Sequence, residues 1–338
     1  MVASAQHRGY FHRNHLNKYD GYPSVRGVPM PPPIALIAAP SGLGLSRPDR
    51  RTPRVDLLPE ALLEAGLGHR LKAQVEHTVK PGPYEPQRDK ETRVINPRGI
   101  AEFSSRLADV VEGVVRDRRF PLVLGGDCSI LLGCLLGLKR TGAHHGLAFM
   151  DGHTDFWPPE ASELGGAAGM DLWFSSGRGP AVLSNLEGRG PLVRDADVAV
   201  LGVRDLEHWG AQVSAEHVRD TTMGWMDLNT LRQDGIAASV EQALVRFRAS
   251  GVSGFWMHLD ADVMDDDVMP AVDSRQPDGL SVEELGELVA HLVASGLAVG
   301  MDVTIYDPSL DPERHAARAL VDSLATGLGA LVPTPRTR

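Results

Sequence analysis

The chain has 338 residues, 42% of them apolar, which is enough for one large α/β domain or two ordinary ones with a substantial core. Its formal charge of -10 comes without any dense Lys/Arg cluster, and no stretch approaches the roughly 18 continuous apolar residues of a membrane helix; nucleic acid and membrane are excluded as expected partners. Only two cysteines, Cys128 and Cys134, and no charged-then-apolar leader at the start point to a reducing, cytoplasmic setting.

Residues 1–33, with Pro-Pro-Pro at 31–33 among scattered His, Arg, Tyr and Gly, show no period of either kind. They read as an extended or disordered arm that could pack on a neighbouring subunit. From Ile34 onward, short apolar runs alternate with longer helical patterns. The runs at 34–39, 121–126, 146–151, 198–203, 254–260 and 297–303 read as buried strands. Stretches near 98–117, 129–140, 229–250, 281–295 and 311–329 read as helices, several opened by the Ser, Asn or Asp that an N-cap requires. Alternation of this kind predicts a mainly parallel sheet covered by helices on both faces. No repeat and no linker divides the chain, so 34–330 is read as one domain and 331–338 as a tail.

In open α/β sheets the ligand site lies where the loops converge at the carboxyl ends of the strands. Three of the expected strands end in candidate metal ligands: Gly125-Gly126-Asp127-Cys128-Ser129, Asp151-Gly152-His153-Thr154-Asp155, and Asp260-Ala261-Asp262. Each alone is weak, since an Asp-x-Asp is more often a cap or turn. Together they gather Asp151, Asp155, Asp260 and Asp262 in one crevice, where the carboxylates repel one another unless cations sit between them. Four carboxylates with one imidazole suit a hard to borderline divalent ion, Mn2+ better than a closed Zn2+ site. Two such ions with shared carboxylates would hold a nucleophilic hydroxide at neutral pH.

The segments GGDCS, DGHTD and DADVMDDDVMP resemble the three signatures of the ureohydrolase superfamily (arginase, agmatinase, formimidoylglutamase, guanidinobutyrase), whose patterns are GGDHS, DAHxD and DxDxxDPxxxP. Order, strand context and spacing match over residues 34–330. The resemblance implies a three-layer α/β/α sandwich, two Mn2+ per chain, and hydrolysis of a linear C–N bond in a guanidino, modified guanidino or amidino small molecule. It implies Cys128, Asp151, Asp155 and Asp260 around one metal and Asp151, His153, Asp260 and Asp262 around the other, with Asp151 and Asp260 bridging. Asp155 would also accept a hydrogen bond from the hydroxide. A homo-oligomer, trimer or hexamer, is implied as well.

Three departures bear on metal, proton transfer and substrate. Cys128 stands where the pattern has histidine; its softer sulfur admits Zn2+, Fe2+ or Ni2+ and weakens the first site for Mn2+. Many arginases and agmatinases place a proton-shuttling histidine thirteen residues after the last aspartate of the second motif, and here that position is Ala168, followed by Gly169-Met170-Asp171. His144 and His145 precede their strand and belong at its opposite end; the loop acid Glu163 is a possible relay. The glutamate that pairs with a guanidinium three residues after the last core aspartate, Asp302, is Ile305. An isoleucine leaves that cation unpaired, which disfavours arginine and agmatine. Asp273, in a loop two residues longer than the family's PGTGTP, could bind a cationic substrate or pair with Arg275; Asp302 could support the metal ligands from behind. Two other outcomes compete with this expected activity: a catalytically silent relative serving as an oligomeric binding or regulatory subunit, and a one-metal deacetylase-like amide hydrolase.

Overall fold

Eight parallel strands form the middle layer: β1 (Ile34–Ala38), β2 (Val75–Thr78), β3 (Phe120–Leu124), β4 (His145–Met150), β5 (Val198–Leu201), β6 (Gly224–Met226), β7 (Gly254–Asp260) and β8 (Ala298–Thr304). Their order across the sheet is β2-β1-β3-β8-β7-β4-β5-β6. The structure, a computed structural model, describes residues 32–47, 52–204, 206 and 209–332. The expected arm, up to residue 31, and the tail, from residue 333, lie outside the described residues.

The inner strands are buried along their whole length, except at the first residue of β4 and the first two of β8, as two covered faces require, and alternate residues feed two separate cores. Leu36, Leu122, Met257 and Met301 face one side; Ile37, Val123, Phe149 and Trp256 face the other. The helices, in chain order, are α1 (Leu58–Glu64), α2 (Leu67–Leu71), α3 (Pro97–Arg116), α4 (Leu131–Arg140), α5 (Asp171–Ser175), α6 (Ala181–Ser184), α7 (Trp209–Arg219), α8 (Leu228–Asp234), α9 (Ile236–Ser250), α10 (Val282–Ala294) and α11 (His315–Gly327). The first core is closed by Val240 and Leu244 of α9, Leu285 and Val289 of α10, and Leu320 and Leu324 of α11. The second is closed by Phe103, Leu107 and Val111 of α3 with Leu131 and Leu135 of α4. This is the α/β/α sandwich expected, with a sheet that is parallel throughout its described strands.

Local chemistry sets the helix ends. Ser281 opens α10 with a capping box: its hydroxyl accepts from the Glu284 amide at 3.1 Å, and Glu284 Oε2 accepts from the Ser281 amide at 2.8 Å. The single helix expected over 229–250 is two, because Gly235 between α8 and α9 takes φ +88°, a conformation that a helix cannot continue.

Candidate metal centre

The strands β3, β8, β7 and β4 are neighbours, so the three motifs leave the sheet side by side. Past β3 the chain passes so close to Ser41 that a Cβ on Gly126 would lie 1.7 Å from the Ser41 carbonyl oxygen; only glycine fits. The next residue, Asp127, is buried and accepts from the amides of Ser129 at 2.9 Å and Gly44 at 3.0 Å, which fixes the short 3-10 turn Cys128–Ile130. After β4, Asp155 takes φ +42°, a left-handed residue that an aspartate tolerates, with its carbonyl accepting from the Trp173 amide at 3.3 Å. After β7, Asp260 Oδ1 accepts from the Asp262 amide at 2.8 Å and sets the angle between the two acids.

The six expected ligands fall into two groups. Donor atoms of Cys128, Asp155 and Asp260 lie within 4.8 Å of one another, and so do those of Asp151, His153 and Asp262. In the first, the Cys128 thiol donates to Asp260 Oδ2 at 2.9 Å and stands 3.2 Å from Thr304 Oγ1. In the second, His153 Nδ1 is 2.9 Å from Asp262 Oδ2 and 3.7 Å from Asp151 Oδ1. Burial pushes the carboxyls of Asp155 and Asp260 well up; repulsion from Asp151 adds to both, and from Asp262 to Asp260 above all. Burial and then Asp260 push the Cys128 thiol up. Burial works against the His153 imidazolium, yet Asp262 and Asp151 outweigh it and hold its pKa well above the ordinary value. Burial would likewise raise Asp262, but His153 and Arg204 hold it below the usual range.

These residues fit divalent cations. Asp151 Oδ2 is buried with no hydrogen-bond partner among the described residues, and the acids around it raise one another's pKa. Buried, mutually repelling anions with an orphaned oxygen call for a positive charge between them, and the oxygen, nitrogen and sulfur donors are those that Mn2+, Fe2+ or Zn2+ accept.

The groups open onto a cavity of 480 Å3 lined also by Leu45, Trp157, Ala168, Asp273, Gln276 and Ile305. Asp273 is exposed at its rim. Arg275 is not its partner, because both guanidinium contacts, 2.7 and 2.8 Å, go to Asp266. Ile305 takes φ +72°, its amide held by the Gly126 carbonyl at 2.8 Å, and it lines the cavity together with Cys128. Ala168 also lines the cavity, whereas Glu163 is exposed on the outer surface and does not line it. His145 begins β4 and, with His144, lies at the far end of the sheet.

Sequence reasoning passed over several residues. Arg204, by its pull on Asp262 and by donating to the carbonyls of Met264 at 3.3 Å and Gln276 at 3.2 Å, ties the cavity wall to the second group. Asp302 touches no ligand: its carboxylate accepts from Trp256 Nε1 and meets His258 Nδ1 at 2.6 Å. The sequence signal for His258 is a polar side chain inside an otherwise apolar strand; Arg204, in the loop after β5, carries none, and Asp302, expected to support the ligands from behind, instead holds His258.

A parallel sheet covered on both faces, with acids gathered at the carboxyl ends of its central strands, is the architecture of the ureohydrolases. The arginase family model matches residues 33–328. The arginase of Staphylococcus aureus (strain COL) is 30% identical over 304 residues, covering 88% of this chain and 97% of that one, and the arginase of Bacillus subtilis (strain 168) is 28% identical over 300 residues with the same coverage. The solved structure of Bacillus caldovelox arginase superposes with a TM-score of 0.79 at 26% identity, covering 89% of this chain and 99% of that one. The chain belongs to the arginase family, and it is a ureohydrolase-type enzyme acting on non-peptide C–N bonds.

Proposed function

We propose that this enzyme hydrolyses a linear C–N bond of a guanidino, modified guanidino or amidino compound, using two divalent ions held by Cys128, Asp155 and Asp260 on one side and Asp151, His153 and Asp262 on the other. The observation that carries this reading is the pair of donor groups side by side at the strand ends. Mn2+ is the expected ion, with Zn2+, Fe2+ or Ni2+ admitted by the sulfur of Cys128. When bound, such ions supply an activated water and neutralise the acids. Asp155 accepts a hydrogen bond from the attacking water and so orients it. Asp273, at the rim of the cavity, meets a positive charge on the far part of the substrate. Ile305 offers an apolar wall where a free guanidinium would be left unpaired, which disfavours arginine and agmatine. The working form is a homo-oligomer, trimer or hexamer, in the cytoplasm, in keeping with two free thiols, and it takes a small molecule rather than nucleic acid; no described helix is long and apolar enough to cross a membrane.

The test is a screen of guanidino, hydroxyguanidino, amidino and amide compounds for released urea or ammonia with Mn2+, Zn2+, Fe2+ and Ni2+ in parallel. Turnover is expected with at least one pair and is lost in Asp260→Asn. A protein that takes up none of these ions after reconstitution refutes the reading. The Cys128 thiol, raised by burial and already bonded to Asp260, favours a second reading, a one-metal amide hydrolase; about one ion per chain supports it and two oppose it.

A further inference from the structure

Asp171, the first residue of α5, is wholly buried, and neither of its carboxylate oxygens has a hydrogen-bond partner among the described residues. Burial pushes its carboxyl well up, so the acid is held in its neutral form unless a positive charge stands close enough to ionise it. The nearest candidate is His258, whose Nε2 stands 3.7 Å from Asp171 Oδ2, too far for a hydrogen bond. His258 is committed elsewhere: its Nδ1 is 2.6 Å from Asp302 Oδ2, and its ring stacks on Phe149 at 4.8 Å. One imidazole can balance one of the two acids, and the short contact assigns it to Asp302.

The first donor group lies one tier up. Along β7 and β8, Asp260 is paired with Thr304 and His258 with Asp302, so the His258–Asp302 pair sits directly beneath the tier that holds Asp260, Thr304 and the Cys128 thiol. Asp171 enters at this lower tier from the side, following the turn Ala168–Met170 that packs against the turn Cys128–Ile130. Its helix is tied to the ligand loop through the Trp173 amide and the Asp155 carbonyl.

We propose that Asp171 is a positioning residue for the cation held by Cys128, Asp155 and Asp260, a buried acid behind these donors whose carboxylate strengthens their hold on a divalent ion. The inference rests on the two-metal reading above.

The test is Asp171→Asn, equal in size and without charge, with Asp171→Ser as a second variant. Chelator-treated full-length protein is titrated with Mn2+ and with Co2+, whose thiolate charge-transfer absorption shows when the Cys128 side is filled. The expected result is first-site affinity weakened roughly tenfold or more, the range seen when residues behind metal ligands are changed, with the second site unaltered. The metal-free variants should unfold at the same temperature as the metal-free wild type or higher, since an unpartnered buried acid has gone. Wild-type affinity at both sites in the variants overturns the proposal. So does a metal-free protein that melts earlier while its stabilisation by metal is unchanged, the behaviour of a purely structural residue. If the wild type itself binds no ion, the two-metal reading falls and takes this inference with it; if the wild type binds two and the variants bind them equally well, only this inference falls.

Discussion

Removing or adding divalent cations should change the stability of this protein by an amount that the pocket's charge sets. Asp151, Asp155, Asp260 and Asp262 bring four negative charges into a buried space, and His153 offsets at most one. Two divalent ions balance the four carboxylates with the imidazole and thiol neutral, whereas one ion leaves half the repulsion in place. By mass action, an ion present at a hundred times its dissociation constant stabilises the fold by about 2.7 kcal/mol, so two independent ions contribute about 5 kcal/mol. With a urea slope of about 3 kcal/mol per molar, the unfolding midpoint should rise by a little under ~2 M between chelated and loaded protein. Asp260→Asn removes a donor of the first group, and its midpoint should rise by about half as much. Urea unfolding followed by circular dichroism, with bound metal counted by equilibrium dialysis, measures both. A midpoint that does not move on loading with Mn2+, Zn2+, Fe2+ or Ni2+, or one that moves equally in Asp260→Asn, would refute the charge argument.

Ile305→Glu puts a carboxylate into the cavity at a backbone φ of +72°, where a β-branched residue is strained and an unbranched one less so. The variant exchanges that strain for a further acid beside the buried carboxylates, so it should be less stable without metal, and when loaded it should gain urea release from arginine or agmatine; a well-folded variant with no gain counts against the role assigned to this position. Far from the site, the Arg140 guanidinium holds the Glu187 carboxyl down to about 2, with donation from Arg140 Nε to Glu187 Oε2 at 3.0 Å. A depressed acid stabilises the fold above its unfolded value of 4.5 and loses that contribution as the pH falls towards 2. Arg140→Ala should therefore cost at most about 1 kcal/mol at neutral pH, in keeping with a partly exposed pair, and the difference from wild type should shrink in urea titrations as the pH falls below 4.5.

The parts of the fold that were legible in the sequence are those that burial makes conspicuous. β1, β3, β4, β5, β7 and β8 appear as apolar runs because helices cover both their faces. The edge strands do not: in β2, Val75-Glu-His-Thr78, most residues reach solvent, and β6 is three residues long. Gly235 divides a continuous helical pattern, and only its positive φ, invisible in the periodicity, explains the break. The donor set was legible because strand ends in a parallel sheet must converge and motif acids cannot be buried without a use. Asp171 was not legible as part of the site, because an acid after a methionine in an irregular loop carries no pattern; its burial is decided by the packing of the turn before it against the turn that holds Cys128.

The places where this chain departs from its relatives' pattern are scattered in sequence and contiguous in space. Cys128 and Thr304 are in contact, and Ile305, next in the chain, is bonded through its amide to Gly126, two residues before Cys128. Ala168 sits in the turn packed against the turn that Cys128 opens, and its amide is held by the Gly44 carbonyl, beside the Gly44 amide that binds Asp127. All three line one cavity, on the side of the first donor group. The opposite side, Asp151, His153 and Asp262 with Arg204 behind them, keeps the ligands that the family pattern specifies. Independent losses in a site no longer in use would fall on either side and would strike the carboxylates, which are the costliest groups to keep buried. Here the acids of both donor groups remain while the cavity wall around them differs, at Cys128, Ala168 and Ile305 and again in the loop of Asp273, a pattern that fits a changed substrate better than a lapsed site. Among the described residues, the rim acid Asp273, free of Arg275, is the acid outside both donor groups that lines this cavity.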